Sequence, residues 1–182
     1  PPDGLLVSEY MFSRTYRPIP IYFMDRTEQY VVSEYIYLPD SQVNPTRVVQ
    51  ATIYGPSEWL RPAVTTAFPD DTRLAVSSVA TNKDGIATIS LSDSVAGLTN
   101  QQRDIMGIQL AYSLRVFADI TGLKVTVNGS PYSMPGANQD GTLRIKSVLS
   151  YDPVSNSTPS YYYAVSDGKL VQVHFAADTK TS

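Results

Sequence analysis

Residues 72–93 read TRLAVSSVATNKDGIATISLSD, two runs of alternating apolar and polar residues on either side of Asn82-Lys83-Asp84-Gly85. Alternation with a period of two marks a half-buried strand, and Asp84-Gly85 supplies the positive φ angles of a tight turn, so the stretch predicts a β-hairpin from Arg73 to Leu91. On its second run Ile86, Thr88 and Ser90 face one side and Ala87, Ile89 and Leu91 the other. The period then changes. Residues 98–122, LTNQQRDIMGIQLAYSLRVFADITG, open with a capping box of Thr99 and Gln102 and carry a broad apolar arc of Ile105, Met106, Leu110, Val116, Phe117 and Ile120. This predicts the main core helix, ended by Gly122. LKVTVNG follows as a strand from Leu123 to Val127 with a turn at Asn128-Gly129.

Upstream, VNPTRVVQATIYGP has Asn44 as N-cap and Pro45 at the first helical position, where its missing N–H costs nothing. Val48, Val49, Thr52 and Ile53 give this helix an apolar side, and Gly55-Pro56 stops it. SEWLRPAV then predicts a second short helical turn from Ser57, with Trp59 and Leu60 turned inward; Trp59, the sole tryptophan, is read as packing. RPIPIYFMD and QYVVSEYIYL read as a strand pair, the first at a sheet edge because Pro18 and Pro20 lack amide donors. Before them, SEYMFSRTY offers Ser8 as the cap of a short helical turn.

Downstream, residues 135–160 are rich in Pro, Gly, Ser, Asn and Asp and read as a locally packed linker, interrupted by LRIKSVL. YYYAVSDGKLVQVHF is a strand, an Asp-Gly turn and a strand. The fold class is therefore α+β: a mixed, mostly antiparallel sheet with two main helices packed on one face, plus a C-terminal β-hairpin. The strands around Arg73–Leu91 and Leu123–Val127 are expected at its centre.

Composition narrows function. A formal charge of −3 with scattered Lys and Arg gives no field for a nucleic-acid backbone, and no apolar run reaches the roughly 20 residues that span a bilayer. The absence of Cys removes thiolate catalysis, disulfides and Cys-rich zinc sites together. The chain opens PPDGLLVSEY without an initiator Met and ends ADTKTS, so further parts are expected on both sides.

A search for chemistry returns little. His174, the only histidine, lies on a strand of the last hairpin, and Asp70-Asp71 reads as a turn after Pro69 rather than a carboxylate pair. NKDG lacks the oxygen ligands and the position-12 Glu of a calcium loop, and neither a phosphate loop nor GxSxG occurs. No catalytic, cofactor or metal residue is assigned, and an enzyme is disfavoured. Thirteen Tyr, Tyr161–Tyr163 among them, suit either strands or an aromatic binding face. Asn128 and Asn156 match the glycosylation pattern, a weak signal. A glycosidase-like hydrolase would require two carboxyl groups converging at about 5 to 9.5 Å.

The string VVQATIYGPSEWLRPAVTTAFPDDTRLAVSSVATNKDGIATISLSDS, followed by IQLAYSLRVFADITGLKVTVNGSPY, resembles a GerMN domain over about residues 43–134. The likeness rests on the order of features: a helix ending in GP, a hairpin strand reading G.A.I.LS, a helix with QLAYSL, and V.V.VNG.P. PPDGLLVSEYMFSRTYRPIPIYFMD before it and YYYAVSDGKLVQV after it resemble the flanks found in LpqB-like actinobacterial lipoproteins. The resemblance implies the end of an upstream segment at 1–16, a GerMN-like domain at 17–134, a linker at 135–160 and the start of a truncated β-propeller at 161–182. It further implies a cell-membrane lipoprotein on the extracytoplasmic face, anchored by an upstream lipid-modified Cys. The implied partner is the extracytoplasmic domain of an Mtr-type sensor histidine kinase linked to envelope homeostasis, with the binding surface unknown. A peptidoglycan- or carbohydrate-binding module in contact with the cell wall stays open as the alternative.

Overall fold

The strand pair expected near the start is the first element of the fold. β1 (Tyr16–Asp25) and β2 (Val31–Pro39) run antiparallel through unbroken register from Tyr16↔Pro39 to Met24↔Val31. The computed structural model that shows this describes residues 15–149 and, beyond them, the backbone of 161–166 and 169–174. Ile19, Ile21 and Phe23 alternate along β1 onto one face and are fully or almost fully buried.

β1 is not an edge strand. It lies between β2 and β3 (Val64–Thr65), in the order β2-β1-β3. The two prolines are accommodated because hydrogen-bonding direction alternates along a strand. Asp25 N–H donates to Tyr30 O across the hairpin, so the odd-numbered residues of β1 point toward β2. Pro18 and Pro20 point the other way, where β3, which pairs only with Met24 and Asp25, does not reach.

A second sheet holds the centre of the predicted hairpin. Its path is β4-β5-β6-β7, with β4 at Ala80–Thr81, β5 at Ile86–Leu91, β6 at Gly122–Val127 and β7 at Ser130–Tyr132. β5 and β6 run parallel from Ile86↔Gly122 to Leu91↔Val127. A parallel pair needs a crossover, and α2 (Asn100–Leu114) supplies it. The capping box is present: Thr99 Oγ1 accepts from Gln102 N at 3.2 Å, and Gln102 Oε1 accepts from Thr99 N at 2.9 Å. α1 (Pro45–Tyr54) starts as expected too, with Arg47 N donating to Asn44 Oδ1 at 3.0 Å. Its Val48, Val49, Thr52 and Ile53 are buried, and Thr52 satisfies its hydroxyl by donating to Val48 O.

Three segments differ from the sequence reading. The first run of the hairpin is strand only at Ala80–Thr81, with a single bridge from Leu74 to Leu91, because Val79 N–H is taken by Thr46 Oγ1 of α1 and the chain bends after Ala75, the last residue before Ala80 to donate to β5. The main helix stops at Leu114, so Val116, Phe117 and Ile120 sit in turns, and Gly122 opens β6 instead of ending the helix. Register enforces this: β6 must begin beside Ile86, and Thr121 N and Gly122 N both donate to Gly85 O at the NKDG turn.

Part of the expected linker, finally, belongs to the domain. β8 (Leu143–Arg144) pairs with β6 at Gly122 and Leu123, and the short helix α3 (Ile145–Val148) follows. Leu143, Ile145 and Val148 are buried in the larger core, and a Cβ on Gly107 of α2 would come within 2.8 Å of Leu143. The apolar LRIKSVL run outweighs the polar composition around it. By its contacts the chain divides at Tyr151–Asp152. In the second unit β9 (Tyr161–Ser166) and β10 (Lys169–His174) pair antiparallel, as the hairpin reading expects, and no propeller is seen among the described residues. The helical turn expected from Ser8 lies outside the described residues, and so does Asn156.

Between the two sheets stands Gln109 of α2, fully buried. Its Oε1 accepts from Ala67 N at 2.8 Å, and its Nε2 donates to Thr66 Oγ1 at 3.2 Å and Tyr22 O at 3.4 Å. One turn on, Ser113 Oγ accepts from Tyr22 N at 3.1 Å. The helix thus stands in for the strand missing beside β1. Replacing Gln109 with Ala leaves a buried amide and a buried carbonyl unpaired, and is expected to destabilise by about 3 kcal/mol, read from urea unfolding. A change under about 1 kcal/mol would show that the amide is dispensable.

Candidate functional site

The exit of α1 is where the fold puts large side chains into solvent. Gly55, at φ 93°, ends the helix and leaves Tyr54, its last residue, 88% exposed. The chain then makes a single turn in which Leu60 N and Arg61 N both donate to Ser57 O. Leu60 enters the core with Ile19, Phe23 and Val64, while Trp59 is 74% exposed. The packing expected for Trp59 is therefore wrong. A single turn cannot send two successive side chains the same way, and Leu60 has taken the inward place.

Trp59 is nevertheless held on a fixed support. Glu34 of β2 accepts from Ser57 N at 3.1 Å, capping the start of the turn. Arg26 grips its end by donating to Pro62 O and Arg61 O. Arg26 in turn sits at the tip of the β1–β2 hairpin, which is tied by Asp25. That carboxylate accepts from Thr27 Oγ1 and from the backbone N–H groups of Thr27, Gln29 and Tyr30. The Thr27 hydroxyl bond, joined by the three backbone bonds and only partly opposed by desolvation, lowers the Asp25 pKa from 3.8 to about 2.

Tyr54 and Arg61 also border a cleft of about 630 Å³ between α1 and residues 70–77, continuous through Ile53, Tyr54, Arg61 and Asp70 with a smaller one of about 380 Å³. Val76, 49% exposed, forms its far lip. A separate aromatic face lies on β2: Tyr35 and Tyr37 are 56% and 54% exposed, in register with Pro20 and Pro18.

The residues singled out for chemistry do not converge. Asp70 and Asp71 are exposed in a turn closed by Thr72 N donating to Pro69 O, as read from the sequence. The NKDG stretch is a turn in which Asn82 Oδ1 accepts from Asp84 N and Ile86 N, with Gly85 at φ 73° and Asp84, contrary to the sequence reading, not at positive φ. His174 pairs with Tyr161 in the β9–β10 register; its side chain, like those of Tyr161–Tyr163, lies outside the described residues. Asn128 is exposed, in a turn at φ 50°. Among the described residues no three His, Asp or Glu gather as a metal site would require, and no helix is long and apolar enough to cross a membrane. Sequence reasoning missed that Tyr54 and Trp59 are both exposed. The available signal was the Gly-Pro stop, which ends a helix at a surface.

Comparisons with known proteins bear on the same residues. The Germane family, described as "Sporulation and spore germination", matches residues 20–133. "Lipoprotein LpqB" of Cutibacterium acnes is 30% identical over 173 residues, covering 95% of this chain and 29% of that protein. "Lipoprotein LpqB" of Thermobifida fusca is 30% identical over 177 residues, covering 93% and 28%. The chain thus spans under a third of the length of these relatives. Among solved structures, the tandem GerMN domains of the sporulation protein GerM from Bacillus subtilis match with a TM-score of 0.58 at 21% identity, covering 86% of this chain and 58% of that one. The first GerMN domain alone matches with a TM-score of 0.57 at 24% identity, over 71% and 98%. These structural likenesses show the fold.

Two outcomes follow from the geometry. Trp59→Ala is expected to change unfolding free energy by no more than about 0.5 kcal/mol in urea titration, as for an exposed side chain; a loss above about 3 kcal/mol would restore the packing reading. Because the Asp25 pKa is depressed in the fold, its contribution to hairpin stability is present above the unfolded value of 3.8 and lost as pH falls through about 2. A carboxyl titration followed by NMR should place the Asp25 midpoint near 2, and a midpoint near 3.8 would show that the cap is not formed.

Proposed function

We propose that this chain, which belongs to the Germane family of sporulation and spore germination domains, serves as a non-enzymatic interaction domain on the extracytoplasmic face of the membrane. The observation that carries the reading is the exposure of Trp59 on a turn braced by Glu34 and Arg26, with Tyr54 exposed at the end of α1 just before it. Trp, Tyr and Arg dominate binding energy at protein interfaces, and a rigid support spares the ordering cost of association. The lipoprotein relatives support placement in a lipid-anchored protein, with the anchor upstream of this chain. The partner we assign is the extracytoplasmic domain of an Mtr-type sensor histidine kinase, whose signalling in envelope homeostasis this domain modulates.

A second reading rests on a different surface. Tyr35 and Tyr37 project from one face of β2 opposite Pro20 and Pro18, a spacing that suits stacking on sugar rings of the cell wall.

Calorimetry of this chain against the purified kinase domain tests the first reading and, with soluble peptidoglycan strands in the cell, the second. Saturable kinase binding, weakened about tenfold or more by Tyr54→Ala with Trp59→Ala, is expected. Binding of glycan alone, lost in Tyr35→Ala with Tyr37→Ala, would transfer the assignment to a wall-binding module.

A further inference from the structure

The cleft between α1 and residues 70–77 carries features that an exposed aromatic pair does not by itself require. The first is charge. Arg61 and Arg73 line it, and neither guanidinium makes a hydrogen bond or ion pair among the described residues. The one ion pair among the described residues joins Lys124 and Asp140, away from the cleft. Arg26 borders the adjoining part, and Asp70 is the single carboxylate facing these three cations. In a chain of net charge −3 this is a local reversal of sign.

The second feature is backbone. Around Leu74, Ala75 N–H donates to Ser90 O at 2.8 Å and Arg73 O accepts from Ser92 N at 2.9 Å, so both of these residues spend their groups on β5. Backbone direction alternates along an extended chain, which turns the N–H and C=O of Leu74 away from β5. Neither Leu74 nor Val76 makes a backbone hydrogen bond among the described residues, and both line the cleft. The outward N–H and C=O of Leu74 are complementary to the backbone of another extended polypeptide.

The third feature is the opposite wall. Ile53 and Tyr54 of α1 give an apolar floor and a ring standing in solvent, facing Leu74 and Val76 across the cleft. A sheet margin, a helix wall and a basic rim therefore meet in one place.

We propose that this cleft binds an extended, acidic segment of a partner polypeptide, its backbone pairing with Leu74 and its carboxylates meeting Arg61 and Arg73. This deepens the interaction-domain reading and rests on it. Guanidinium groups hold carboxylates with paired hydrogen bonds, and the Tyr54 ring covers the alternate, apolar side chains of the segment. The two arginines repel basic sequences, while Asp70 disfavours a carboxylate placed directly beside it and so sets where along the cleft the acidic residues sit.

The test uses the full 182-residue chain. A displayed library of random short peptides is selected against the immobilised protein, and the enriched sequences are synthesised. The expected result is enrichment of Asp and Glu with apolar residues between them, and amide NMR shifts confined to Tyr54, Arg61 and the 70–77 stretch. Arg61→Glu with Arg73→Glu should weaken binding about tenfold or more, and Arg61→Lys with Arg73→Lys should retain most of it. Both positions are exposed, and circular dichroism of each variant checks the fold. Enrichment of neutral or basic sequences, shifts centred on Tyr35 and Tyr37, or indifference to the Glu variants would overturn the proposal. The sensor-kinase domain, run beside the peptides, separates the two failures. Kinase binding indifferent to the Glu variants removes the cleft and leaves the interaction reading; peptide binding in the cleft without kinase binding removes the assigned partner and leaves the cleft.

Discussion

The buried carboxamide of Gln109 joins what would otherwise be two separate sheets. β1 has a full partner in β2 on one side and only a two-residue partner, β3, on the other. Along that other side its backbone groups would lie unpaired against the core, at a penalty of about 1–3 kcal/mol for each. Gln109 and Ser113, one turn apart on α2, reach Tyr22, Thr66 and Ala67 and close the gap. The prolines of β1 belong to the same arrangement, because they remove donors from the stretch that neither β3 nor α2 serves.

From that junction the position of the exposed surface follows. α2 is the crossover of the parallel β5–β6 pair, so fixing it to β1 fixes the second sheet as well. α1 packs between the two cores, with Val48 in one and Val49 and Ile53 in the other. Its C-terminal end is thereby driven to the rim of both sheets, where Gly55 stops it and Tyr54 emerges. The same competition for α1 creates the cleft, since Val79 N–H binding to Thr46 draws residues 76–79 off β5 and leaves Leu74 without a strand on its outer side.

Much of this was legible in local chemistry. The Asn44 and Thr99 caps, Pro45 at the start of a helix, the Gly55 stop and the Asp84-Gly85 turn each act over three or four residues, and each is found where the sequence places it. The β1–β2 pair and the strand beginning at Leu123 were equally clear from period and residue type. Errors fell where a distant partner decided. The apolar arc past Leu114 read as helix until the register of β6 beside Ile86 required a return, and the LRIKSVL run read as an interruption of a linker until β6 and Gly107 offered it a seat.

Trp59 shows the division most plainly. The sequence by itself determined that a turn follows the Gly-Pro stop, because that depends on backbone geometry and on neighbours in the chain, and it read both Trp59 and Leu60 as facing inward. That only Leu60 faces inward, and which strands lie parallel, the tertiary structure alone decided. The space beneath the turn is bounded by Ile19, Phe23 and Val64, residues remote in sequence or on the far side of the turn, and it takes the Leu60 side chain. The larger ring is left in solvent because burial is a property of a shape closed by many segments, which no window of a single segment contains.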